Sequence, residues 1–394
     1  SKLTYFIIFV GFLIFEIILI NLIRLIKKDF PWFIEKGDEF PFFDNDKYKN
    51  YLKNSFDKNL GWVRKPNTIG YDTSGSKKIR FEMDTDGSRK KVNKKIINFA
   101  ASFGDSYVFG REVKDHETWQ ECIARKYKFS ISNYGLGNYG IDQAILKYKK
   151  TNLSKTNKYV ILGMVPENIC RIQSEWKHFN EFGNIHGFKP KFFIKNNQLK
   201  LKPNPLKKNT KIKQLHNIIK KIKKTDRFYD EKFKKKQFKF PYLLSFVKDL
   251  RFNLTIFYIF FLKDKKFHKN YFMHEIMKRN IVQSHKLYNE TYSKKLFLKL
   301  IEEFVKIAKK RGHKPILIVF PQYLDIKFKN TNLNYIKFFS EVVSKKIDLL
   351  DLTKYYKKND IQTLFTNQIY GSHLSSTGNK FVANKIYKFL KNLK

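Results

Sequence analysis

The pattern of hydrophobic and polar positions changes character along the chain. Residues 3–26 are apolar almost without a break, interrupted by Glu16, Asn21 and Arg24, and a run of that length predicts a single transmembrane helix. A cleaved signal peptide is the second reading, weakened because no small-x-small site follows the apolar core, and a buried globular helix is the third. Residues 29–95 are rich in turn formers, with short strands expected around residues 61–67 and 78–84; they read as an N-terminal extension or lid. From residue 96 the period alternates: strand 96–101, helix 119–127, strand 130–133, helix 143–148, strand 159–164. It resumes late with helix 293–310, strands 315–320 and 347–350, and a final helix 377–390. Alternation of this kind argues for a parallel sheet covered by helices on both faces.

Between the two halves lies a long insertion, residues 180–290. It opens with a predicted hairpin over 191–202, turning at Asn196 and Asn197, and continues as Lys- and Phe-rich helical sequence. Within it, residues 252–262 are strongly apolar but too short to span a bilayer. Two readings stand level: a helix in the headgroup region of an anionic membrane, or one packed on the globular domain. The expected organisation is therefore a transmembrane helix over 3–26, an extension over 29–95, and a domain over 96–394 interrupted by 180–290.

Composition narrows this picture less than it first suggests. The net charge of +45 on 394 residues admits anionic lipid, nucleic acid or acidic polysaccharide as a neighbour. Lys, Asn, Ile and Phe are in excess nearly everywhere, as compositional drift would produce, and no nucleic-acid motif accompanies the charge, so no nucleic-acid partner is expected. With two cysteines, Cys122 and Cys170, there is no disulfide framework, although one bridge stays possible in an oxidising compartment. The 9 histidines lack metal-ligand spacing, and neither a metal nor a cofactor is expected. Arg24, Lys27 and Lys28 follow the span whereas Lys2 precedes it, which by the positive-inside tendency would retain the domain in the cytoplasm; a long domain can translocate regardless. A single-pass membrane protein with its domain outside the cytoplasm is expected, with orientation open.

The candidate chemistry sits where the predicted strands end. The first runs into Gly104-Asp105-Ser106, and a sharp turn at the carboxyl edge of an open α/β sheet presents Ser106 as a nucleophile. After the second strand, residues 133–140 read Asn-Tyr-Gly-Leu-Gly-Asn-Tyr-Gly, a loop suited to aiming backbone N–H groups at an oxyanion. After the third comes Val165-Pro-Glu-Asn-Ile169, in which the Asn168 amide is a candidate donor or, more plainly, a helix cap. Last, Gly371-Ser-His-Leu-Ser-Ser-Thr-Gly378 precedes the final helix, and His373 is the natural base for Ser106. Taken singly, each is an ordinary turn or cap.

Their order is more specific. Gly-Asp-Ser, the Asn138-containing second block, the Glu167-Asn168 third block and the late His373 together resemble the SGNH (GDSL-type) hydrolases across residues 96–390 apart from the insertion. A Gly-Trp…Lys-Pro-Asn stretch over 61–67 and Asn-Tyr-Gly-x-Asp-Gln over 138–143 are similar to a membrane-anchored branch. The resemblance implies a flavodoxin-like three-layer α/β/α domain. It further implies Ser106 attacking an ester with His373 relaying the proton, and an oxyanion hole from the backbone of Ser106 and Asn138 with the Asn168 amide. Asn138 stands where the family has glycine, and Pro166-Glu167-Asn168 replaces Gly-x-Asn-Asp. The family's acid, three residues before the histidine, is Tyr370 here, and a neutral tyrosine does not stabilise an imidazolium as a carboxylate does. A backbone carbonyl orienting His373, a substitute carboxylate such as Glu167, or an inactive site are all open, with Asp105 a further supporting residue.

The leading expectation is a membrane-anchored serine esterase or O-acyltransferase acting on an acyl or acetyl ester of an envelope glycan or lipid. The alternative is a weak or inactive SGNH-like protein binding a glycan or partner, and a third class is a basic membrane-surface or nucleic-acid-binding protein.

Overall fold

The structure is a computed structural model that describes residues 2–73, 78–327, 334–357, 361–366 and 372–393. Five strands form the central sheet: β1 (Asn98–Gly104), β2 (Ser130–Asn133), β3 (Tyr159–Met164), β4 (Lys314–Val319) and β5 (Asp348–Asp351). They are parallel, in the order β5-β4-β3-β1-β2. The three inner strands β1, β3 and β4 alternate their side chains between two buried faces, which is why they read as continuous apolar runs rather than an in–out pattern. Phe103, Leu162 and Val319 enter one core, beside α3 (Ile141–Lys150) and α6 (Thr291–Lys310). Ala100, Ile161 and Ile318 enter the other, beside α2 (Trp119–Tyr127) and α7 (Ser376–Asn392). The result is the three-layer α/β/α arrangement with a parallel sheet that the alternation predicts.

The strand boundaries shift slightly. β1 extends to Gly104 and so delivers residue 105 directly to the sheet edge. The hairpin of the insertion pairs Lys191–Lys195 with Gln198–Lys202, and Asn196 and Asn197 adopt φ of 49° and 59°, the left-handed pair that a tight hairpin turn requires.

Extension and insertion pack into the same core as the sheet. Tyr48 and Tyr51 from the extension lie with Phe188, Leu215 and Tyr229 from the insertion, and Tyr48 donates to the Thr210 carbonyl at 3.1 Å. Glu39 accepts from Tyr229 Oη and Gln237 Nε2, each at 2.8 Å. The described part of residues 29–95 thus packs against the domain and its insertion.

Among the described residues one helix is long and apolar enough to cross a membrane, α1 (Lys2–Lys27). Its carboxyl third packs on α4 (Leu250–Leu262) and the start of α5 (His268–Leu287) through Leu19, Ile23, Phe246, Ile256 and Phe272. The apolar run at 252–262 thus shares one buried cluster with α1. Cys122 and Cys170 are both buried free thiols.

Candidate active site

Glycine at the end of β1 is a requirement of packing: a Cβ on Gly104 would lie 2.1 Å from the Gly163 carbonyl oxygen of β3. The chain then turns through Asp105 into the short helix Ser106–Phe109. Asp105 is fully buried, and its Oδ1 accepts from Tyr107 N at 2.9 Å. Oδ2 accepts from Val165 N at 2.9 Å and from Asn168 Nδ2 at 2.8 Å. Leaving such a carboxylate unpaired would cost about 3–5 kcal/mol, so these bonds fix the end of β1 to the end of β3.

At the sheet edge Ser106 Oγ lies 3.0 Å from His373 Nε2, and His373 Nδ1 lies 3.0 Å from Glu112 Oε1. A carboxylate only accepts, so Nδ1–H donates to Glu112 and the bare Nε2 accepts the hydroxyl proton of Ser106. That tautomer is the one a general base requires. The imidazole and the Glu112 side chain are 7% and 5% exposed, which leaves their attraction little screened by water.

Glu112 is absent from the sequence-derived candidates. It sits six positions after Ser106 with φ of 67°, a conformation held from behind by the extension. Glu112 N and Arg111 Nε donate to Asp72 Oδ2 at 3.1 and 3.0 Å. Buried Arg89 donates to the Phe109 and Val113 carbonyls at 2.8 and 2.6 Å and to Asp115 Oδ1 at 2.7 Å. On the other side Thr366 Oγ1 bonds Glu112 Oε2, and His373 N donates to Thr366 Oγ1 at 3.1 Å. Tyr107 Oη donates to the Ser372 carbonyl at 2.8 Å, tying the histidine loop to the nucleophile helix.

The other expected supports are placed elsewhere. Asp105 links β1 to β3 as above. Glu167 accepts from Arg171 Nη2 at 3.0 Å and from Gln322 Nε2 at 3.5 Å; burial raises its pKa above the ordinary carboxylate value, opposed by the Arg171 charge. Tyr370 lies outside the described residues. Both N–H bonds of the Asn168 amide are engaged, with Asp105 and with the Val165 carbonyl at 3.1 Å, so in this arrangement Asn168 spends its donors on holding the third block.

Two backbone donors differ from it. Among the described residues, neither the Ser106 N–H, at the first turn of its helix, nor the Asn138 N–H has an acceptor. Asn138 adopts φ of 67° in a loop fastened on both sides. Leu136 N donates to the Gly104 carbonyl at 2.9 Å and Asn133 Nδ2 to the Phe109 carbonyl at 3.0 Å. From the extension, Trp62 Nε1 donates to the Gly137 carbonyl at 3.1 Å, while Tyr139 Oη and Gln143 Nε2 donate to the Trp62 and Leu60 carbonyls, each at 2.6 Å. The Gly-Trp stretch is thus a brace for the second block.

A small recess is lined by His274, Met277 and Ile281 of α5, by Gln322, Tyr323 and Leu324, and by Ser372. Among the described residues no group of three or more His, Cys, Asp or Glu is placed to hold a metal ion.

No protein-family model matches the chain, and no curated protein matches it. Among solved structures, the chain is similar to one from Desulfitobacterium hafniense DCB-2 named for the lipolytic G-D-S-L family. The match has 11% identity and a TM-score of 0.36, and covers 74% of this chain and 99% of that one.

Proposed function

We propose that the protein is an SGNH-type serine esterase or O-acyltransferase, anchored in the membrane through α1 and acting on an acyl or acetyl ester of an envelope glycan or lipid. The observation that carries this reading is the unbroken hydrogen-bond relay from Ser106 through His373 to Glu112. Ser106 Oγ attacks the ester carbonyl carbon as its proton passes to His373 Nε2, and the paired Glu112 stabilises the imidazolium. The negative charge on the carbonyl oxygen is met by the Ser106 and Asn138 N–H groups. Collapse breaks the ester C–O bond and the leaving alkoxide takes the proton from His373; water or a sugar hydroxyl then attacks the acyl carbon, giving its proton to His373 Nε2, and the acyl–Oγ bond breaks as Ser106 Oγ takes that proton back. Glu112 supplies the carboxylate that Tyr370 lacks, which favours catalysis over a binding-only scaffold. Placing the domain outside the cytoplasm belongs to this reading, since its substrate is found there.

The test is covalent labelling of the full chain in detergent by a fluorophosphonate, alongside hydrolysis of p-nitrophenyl acetate. Labelling and turnover should both vanish in Ser106→Ala, and turnover should vanish in His373→Ala. Wild type that neither labels nor exceeds the variants would overturn the catalytic reading.

A further inference from the structure

The insertion carries an apolar surface with no use inside the domain. Phe240, Leu244, Val247, Leu254, Phe261 and Leu262 are all more than half exposed. This surface is continuous with α1, because Leu19, Ile20, Ile23 and Ile26 are buried against Phe238, Ile256, Ile259 and Phe272. The acid inside the apolar helix is built into the same body. Glu16 is 2% exposed, and its carboxylate accepts from Leu243 N at 2.9 Å and from Tyr242 N, the first backbone donors of the helix Tyr242–Val247. A glutamate that would be costly alone in hydrocarbon is thereby satisfied by a segment of the insertion.

Around this surface stand exposed cations: Lys239, Lys248, Arg251, Lys263, Lys265 and Lys266. Lys263 sits over the rings of the exposed Tyr258 and Tyr271, at 5.3 and 5.8 Å. Apolar side chains rimmed by tyrosine and lysine match the layering of a membrane interface. At 1.5 Å per residue α4 is about 20 Å long, short of the ~30 Å hydrocarbon core, so it fits within one leaflet. A second copy of the chain would bring the same cations against these, whereas anionic headgroups complement them.

We propose that α1 and residues 238–272 form one membrane-seated body, with the exposed apolar face of the insertion in the acyl region of a single leaflet and its lysines at anionic headgroups. α5 leaves this body at His268, whose Nε2 donates to the Lys263 carbonyl at 3.0 Å. Further along this helix, Met277 and Ile281 line the recess that Ser372 also lines. The platform therefore holds the Ser106–His373 cleft at a set height above the bilayer.

The proposal is independent of catalysis and is tested on the unmodified full chain. The protein is reconstituted in vesicles of phosphatidylethanolamine and phosphatidylglycerol containing a phospholipid with a photoactivatable diazirine in its acyl chain, and adducts are mapped by mass spectrometry. Residues 240–267 should be labelled within about twofold of residues 3–18 and roughly tenfold above the hairpin 191–202. Labelling confined to 3–18 would overturn the platform while leaving the span. No labelling of either would overturn both. Adducts confined to 3–18 together with an amine cross-link joining Lys263 or Lys266 of two copies would assign the surface to a second copy instead.

Discussion

Seven residues hold two of the three members of the proposed relay. Ser106 and Glu112 flank one turn of helix and a left-handed step, and His373 reaches both from the far end of the chain. Glu112→Gln should lower kcat for p-nitrophenyl acetate by about 10³–10⁴-fold, because an amide that donates to Nδ1 selects the wrong tautomer. Glu112→Asp should retain part of the rate, and Tyr370→Phe should stay within about twofold of wild type if the acid is Glu112. A loss with Tyr370→Phe as large as that with Glu112→Gln would move the acid's role away from Glu112. Sequence alone could not single out this residue. A glutamate between Arg111 and Val113 belongs to no period and stands at no family position, and its sole local signal is the Gly110 turn ahead of it. Ser106 and His373 were legible because each follows a strand or precedes a helix whose pattern is strong.

At the scale of elements, the strands and their helices could be read closely because both faces of the sheet are buried and its apolar runs stand out. The extension was harder. Its bonds to the site are made by single polar groups to distant partners, Arg89 to the carbonyls of residues 109 and 113 and the Leu60 carbonyl to Gln143, which leave no periodic trace. One contact between elements is especially exposed to test. A Cβ at Gly135 would lie 2.3 Å from Phe109 N, so Gly135→Ala must push the second block away from the nucleophile helix. The expected cost is about 1–3 kcal/mol, read as a lower thermal midpoint, with a fall in kcat that exceeds any change in KM. A variant of wild-type stability and rate would mean that the two segments yield freely.

For the molecule as a whole, His178 joins the extension to the insertion. Its Nε2 lies 2.9 Å from the Asp38 carbonyl and its Nδ1 accepts from Gly183 N at 3.2 Å, with the ring stacked on Trp176 at 4.6 Å. Those bonds require the neutral ring, and burial depresses its pKa from 6.5 to about 4. The unfolded chain therefore takes up the proton first as pH falls. The stabilisation is complete above about pH 6.5, is lost progressively down to about pH 4, and amounts to roughly 2 kcal/mol lost by pH 5. His178→Phe removes this proton uptake, so the thermal midpoint should fall less between pH 7 and pH 5 than in wild type. Equal slopes in the two proteins would show that His178 titrates normally in the fold.

An acid carried beside the nucleophile also changes which part of the chain the proposed relay depends on. The proposed relay needs no carboxylate just before His373, because Glu112 bonds the imidazole and Thr366 bonds both the Glu112 carboxylate and the His373 backbone. In the proposed relay the acid depends instead on the extension, because Asp72 and Arg89 hold the turn that carries Glu112.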